Sequence, residues 1–190
     1  FVVEAGAEEG RGLVVDESQR TTLPDVYAAG DVVQMKNLLD GGLAPLAMWP
    51  NAVQQARVAA LAMTGVSAAD EAKGNYAVNA TNVFDVSILS CGISNQPADS
   101  DFEIRVFADD DSYAKFVIKD DCLFGYTLVN RPESAGIYTD LIANATPLSS
   151  LSGQIFERPI ENLDYATESR WNRLHRHYPA GIDRFGWKEA

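Results

Sequence analysis

The apolar residues of this chain change rhythm twice. Val26, Tyr27, Ala28 and Ala29 form a short unbroken run between Pro24 and Gly30, which predicts a strand buried on both faces. Gly30 permits close backbone approach at the carboxyl end of that strand and leaves Asp31 there as a charged acceptor. A helical period follows. Pro50 suits a first turn, and Val53, Ala56, Ala60 and Met63 or Thr64 recur at helical spacing until Gly65 stops them. Residues 65–75 are small and polar, the composition of a linker.

Beyond the linker the period becomes two. Phe84, Val86 and Ile88 alternate within 83–90, and Phe102, Ile104 and Val106 alternate with Glu103 and Arg105 within 102–108. Further strands are predicted at 113–118 and 123–129, joined by Lys119-Asp120-Asp121 as a turn of hairpin length. Together these read as an antiparallel meander. Ala135, Tyr138, Leu141, Ile142 and Ala145 then predict a helix over 133–145 lying across that sheet, with Pro147 just past its end. Gly125 is expected to allow close backbone packing or a bulge. A charged, helix-like run over 165–177 precedes Tyr178, Phe185 and Trp187, aromatic residues that predict packing on a neighbouring domain or subunit. The expected units are therefore 1–66, 76–150 and a tail at 151–190.

Composition mostly excludes. With 190 residues, 46% hydrophobic and 22% charged, the chain is an ordinary globular one, and its net charge of −12 argues against binding nucleic acid or an anionic membrane. The basic-rich stretch 170–188 is interrupted by Asp183 and flanked by Glu168 and Glu189, a solvated face. No segment approaches the ~20 consecutive apolar residues of a membrane span, and there is no signal-peptide pattern. Cys91 and Cys122 are far apart in apolar surroundings, so they read as buried structural thiols of a protein in a reducing cytoplasm. His175 and His177, two apart, point to different faces of a helix and read as a surface pair; no metal site is expected.

Two segments carry a resemblance. The run Thr22-Leu23-Pro24-Asp25-Val26-Tyr27-Ala28-Ala29-Gly30-Asp31-Val32, with Gly12-Leu13-Val14-Val15-Asp16-Glu17 upstream and Arg20-Thr21 between, resembles the second flavin-binding signature of the FAD-dependent pyridine nucleotide-disulfide oxidoreductases. That group includes NADH oxidases and ferredoxin and rubredoxin reductases. The stretch from Leu43 to Gly65, containing Met48-Trp49-Pro50-Asn51-Ala52-Val53-Gln54-Gln55-Ala56, is similar to the helix that follows this signature. The phrases Tyr113-Ala114-Lys115-Phe116-Val117-Ile118 and Leu123-Phe124-Gly125-Tyr126-Thr127-Leu128-Val129 resemble the central hairpin of the family's interface domain.

The resemblance implies an α/β plus α+β fold: the C-terminal part of a Rossmann-like FAD-binding domain, then an interface domain with an antiparallel sheet. It implies that Gly30 and Asp31 meet FAD, the carboxylate accepting from a ribityl or ribose-side hydroxyl. It also implies that Trp49, Pro50 and Asn51, at the amino end of the helix, face the pyrimidine edge of the flavin. A core anchor remains the alternative for Trp49. The chain departs from the pattern in reading Gln55-Ala56 where a glycine usually follows the glutamine, and in lacking Gly-x-Gly-x-x-Gly. The expectation is a C-terminal fragment of an FAD-dependent NAD(P)H oxidoreductase, with no general acid, base or nucleophile of its own and FAD absent from the fragment alone. Implied partners are the missing N-terminal FAD and NAD domains, a second copy in a homodimer, and a small redox protein. A noncatalytic dimerisation or interaction module without flavin is the alternative; an unrelated α+β binding protein is a third reading.

Overall fold

The computed structural model describes residues 1–67, 76–95, 100–151, 155–161 and 164–166. Near the amino end, β1 (Leu13–Val14) lies parallel to β2 (Val33–Lys36), and β3 (Leu43–Ala44) closes the sheet antiparallel to β2. Val15, Val33 and Met35 form its small core, with Ala28 packed against them. Helix α1 (Trp49–Met63) follows, with Pro50 in its first turn and Met48 as an extended N-cap. At its other end the Gly65 and Val66 N–H groups bond back to the Ala62 and Leu61 carbonyls, and Gly65 has φ +73°. The glycine stop is as the sequence predicts.

The doubly buried strand at 26–29 is not formed. Asp25 takes a positive φ and folds the run back on the residues before it, so that the Thr21 N–H bonds the Val26 carbonyl and the Ala28 N–H bonds that of Gln19. Tyr27 keeps a lone bridge to Arg20, and all four apolar residues are half-buried. The buried strand comes later, in β2, so Asp31 precedes a strand instead of ending one.

A second sheet has five antiparallel strands: β4 (Val78–Val83), β5 (Val86–Gly92), β6 (Glu103–Ala108), β7 (Tyr113–Lys119) and β8 (Cys122–Val129). The expected strand over 83–90 straddles a hairpin, because Phe84, with φ +53°, sits in the turn between β4 and β5. Strand β4, Val78-Asn79-Ala80-Thr81-Asn82-Val83, is mostly exposed and has no sustained apolar alternation that would predict it. The order β4-β5-β8-β7-β6 is not a simple meander, since β6 lies at the far edge and β8 returns to pair with β5. The β7–β8 turn matches its prediction: Asp120 and Asp121 both have positive φ, the backbone of a tight two-residue hairpin.

Gly92 and Gly125 face each other across β5 and β8. A Cβ on Gly125 would meet the Ile93 carbonyl oxygen at 2.1 Å, and one on Gly92 would meet that of Phe124 at 2.1 Å. The ladder is irregular opposite Phe124, between Val117 and Ile118, so Gly125 serves both a bulge and a close approach. Helix α2 (Ala135–Ala143) covers one sheet face, beginning two residues later than predicted because Ser134 is left-handed, and ending before Asn144. Tyr138 stands 5.0 Å ring to ring from Phe116 and donates to the Ile155 carbonyl.

Ile155, Phe156, Ile160 and Tyr165 enter this same core. The first part of the expected tail thus packs on its own sheet, and His175, His177, Tyr178, Phe185 and Trp187 lie outside the described residues, as do 68–75 of the expected linker. Arg158 pairs with Asp164 through both terminal guanidinium nitrogens, and the Glu161 N–H also donates to that carboxylate at 2.8 Å.

Two expectations follow. Gly125→Ala must push backbone apart and is expected to destabilise by about 3 kcal/mol, read as a lowered urea midpoint at unchanged m. The Arg158 hydrogen bond, against burial, holds Asp164 below the usual carboxylate range. Its contribution is therefore fully present above the unfolded pKa of about 3.9 and lost as pH falls through the lower folded value. Asp164→Asn should flatten the loss of stability below about pH 4 in acid titrations followed by circular dichroism; an unchanged acid limb would refute this coupling.

Candidate functional site

The site is built from one turn and one helix end. The Gly30 carbonyl accepts from the Val33 N–H at 3.1 Å, closing a β-turn with Asp31 and Val32 at its corner. Gly30 has φ +87°, a conformation glycine takes at little cost. Its N–H donates at 2.7 Å to Oε1 of Gln55, which lies on α1 and is 3% exposed. A Cβ built on Gly30 would stand 3.7 Å from the Cβ of Ala52, one turn nearer the helix start. The carboxylate turn therefore lies against the amino end of α1.

Asp31 is exposed, and among the described residues no lysine or arginine pairs with it. At the helix end no side chain caps the N-terminus. The first helical bond runs from the Ala52 N–H to the Met48 carbonyl, and Pro50 has no N–H, so the Trp49 and Asn51 amides precede the intrahelical ladder. Trp49 is 83% exposed, which rules out a core anchor among the described residues, and Val32 and Val53 are exposed apolar residues of the same region. The Asn51 side chain turns the other way. It is buried and donates to the Leu46 and Tyr76 carbonyls at 3.2 and 3.3 Å, leaving only its backbone on the helix end.

Helix α1 presents its faces opposite to the pattern the spacing picked out. Val53, Ala56, Ala60 and Met63 are exposed, whereas Asn51, Gln55, Val58 and Ala59 are buried. The buried set also has helical spacing (i, i+4, i+7, i+8), but two of its four members are amides, so an apolar count passes over it. Gln55 was thus missed as a site residue. Gln19, 2% exposed, donates to Met35 Sδ at 3.5 Å, while Gln55 donates to the same sulfur at 3.7 Å. The Gln19 Oε1 atom is buried with no hydrogen-bond partner.

Other chemistry lies elsewhere. An open cleft of about 540 Å³, lined by charged residues including Asp101, Arg105 and Asp121, contains none of these site residues. Among the described residues no cluster of three or more His, Cys, Asp or Glu is arranged to hold a metal. Both cysteines are free, Cys91 buried and Cys122 only partly so, which corrects the expectation of two buried thiols. Burial pushes the Cys91 thiol up to about 11, outweighing hydrogen bonds from Thr139 and Gly92. Burial and then Asp121 and Asp120 raise that of Cys122. With the thiolate as the reactive form, iodoacetamide at pH 8 should modify native Cys122 well before Cys91, and both equally in urea. Mass spectrometry of timed samples checks the order.

Residues 2–60 match the family model of pyridine nucleotide-disulphide oxidoreductases. Over 163 residues the chain is 28% identical to pyridine nucleotide-disulfide oxidoreductase domain-containing protein 1 of Pongo abelii, covering 83% of this chain and 33% of that protein. It is 28% identical over 157 residues to the NADH-dependent phenylglyoxylate dehydrogenase subunit epsilon of Aromatoleum evansii, covering 82% and 37%. The chain thus spans about a third of the length of these curated relatives. In fold it is similar to the NAD-dependent persulfide reductase from A. fulgidus (TM-score 0.70, 20% identity), over 92% of this chain and 36% of that one. It is similar also to the covalent putidaredoxin reductase–putidaredoxin complex (TM-score 0.66, 20% identity), over 92% and 38%. No helix among the described residues is long and apolar enough to cross a membrane.

Proposed function

We propose that this chain, which belongs to the pyridine nucleotide-disulphide oxidoreductase family, supplies the closing part of a flavin site in an FAD-dependent NAD(P)H oxidoreductase. The observation that carries the reading is the exposed Asp31 turn lying against an uncapped helix N-terminus. Those donor and acceptor types suit a flavin: a carboxylate accepts from hydroxyl groups, and helix-end amides favour electron-rich ring oxygens. Bound there, FAD would take hydride from the nicotinamide and pass electrons to oxygen, a disulfide or a small redox protein.

In this reading Asp31 orients the polyol chain, Gly30 lets it approach, and the Trp49 and Asn51 amides, at the helix start that Pro50 favours, stabilise negative charge at the ring edge. Exposed Trp49, Val32 and Val53 exclude water from the same place. No residue here transfers a proton. The diphosphate needs a glycine-rich cradle that this chain lacks, so the remaining FAD- and NAD-binding portions are assigned to further polypeptide. Residues 1–66 would complete the FAD domain and 76–150 would form the interface and dimerisation unit, in a cytoplasmic homodimer.

Expression of the complete reading frame tests this. A yellow protein with oxidised-flavin bands that NADH bleaches is the expected result. A colourless, NADH-inert product would leave the noncatalytic dimerisation module. In the flavoprotein, Asp31→Ala should weaken flavin retention about ten- to hundredfold through loss of a charge-assisted hydrogen bond, measured as the dissociation constant after dialysis.

A further inference from the structure

Asp31 and the end of α1 belong to different elements, and a ligand meeting both requires them in register. The Asp31 turn is fixed at one end by the bond from the Val33 N–H to the Gly30 carbonyl, which ties it to β2. At the other end the Gly30 N–H reaches the Gln55 side chain, which ties it to α1. Gln55 is buried at 3% exposure, and its amide nitrogen is directed to the Met35 sulfur, a residue of β2. One side chain thus bonds the carboxylate turn through one atom and the strand behind it through another. Swinging Gln55 away would leave a half-buried backbone N–H without its acceptor, so the strut has one favoured geometry.

We infer that Gln55 is a positioning residue for the flavin site, holding Asp31 at its working distance from the amino end of α1 through the Gly30 amide. This rests on the flavin reading given above. It assigns Gln55 no contact with the ligand, because the side chain is covered by β2 and the turn. Its effect on binding must therefore pass through Asp31. The residue after it, Ala56, faces outward and takes no part.

Gln55→Met keeps length and approximate volume while deleting the acceptor. In the flavin-loaded full-length protein it is expected to raise the FAD dissociation constant about tenfold, the worth of one hydrogen bond. In an Asp31→Ala background the same substitution should change the constant by less than about twofold, because the group it positions is gone. In the 190-residue chain without flavin, the Gly30 amide should lose its protection from hydrogen exchange in Gln55→Met. Gln55→Glu, which keeps an oxygen acceptor, should retain that protection. Equal losses in both backgrounds would make Gln55 a general stabiliser and overturn the inference, as would an unchanged constant in Gln55→Met alone. An unchanged constant in Asp31→Ala would instead overturn the reading of the site, and the positioning role with it.

Discussion

A backbone N–H withdrawn from water has to find an acceptor, and at Gly30 that requirement decides the arrangement of the amino-terminal unit. Among the described residues no backbone carbonyl accepts from this amide. A glutamine on α1 meets it instead, and so the helix cannot rotate about its axis without abandoning the turn. This explains an otherwise perverse choice of faces. The helix buries Asn51 and Gln55 and exposes Val53 and Met63 because two amides tie backbone groups on separate segments. Apolar burial alone would favour the opposite orientation.

Much of the second sheet was legible because β7 and β8 have one covered face, which imprints a period of two on them, whereas the alternation read on β6 falls on Ile104 and Val106, which are exposed. What did not show was which strands are neighbours. Strand β8 pairs with β5 through a glycine-to-glycine approach, a matter of missing side chains that no count of apolar residues reports. The exposed polar strand β4 leaves no sustained periodic trace. At the site, Gly30 and the proline-initiated helix were legible one by one, since both are marked by residues with special backbone roles, while their meeting at one place was implied only by the family resemblance. The sequence did not separate the Asn51 backbone from its side chain, nor give the buried glutamines a role, because Asn51 and Gln55 meet partners 25 residues away in the chain and Gln19 meets one 16 away. The misplaced strand at 26–29 has the same origin: apolar content was read correctly, while the local bonds that fold it back were not visible.

The two units differ in how their cores are made. The second is dense with aromatic contacts, Phe116 meeting Tyr138, Phe107 and Phe156, and the Tyr126 and Tyr138 hydroxyls each find a buried carbonyl. The first has three buried residues in its cluster and relies on polar ties around Met35. Stability thus resides mainly in the unit without the carboxylate turn, while the site is held by a handful of directional bonds.

The facing glycines of β5 and β8 carry an evolutionary consequence. Each one's absent methyl is excluded by a carbonyl next to the other, so the two positions form a mutual lock. Neither can drift to alanine singly without prising the sheet open, and a lineage that lost one would gain nothing by keeping its mate. Divergent descendants of this chain should therefore hold both or have abandoned the crossing altogether.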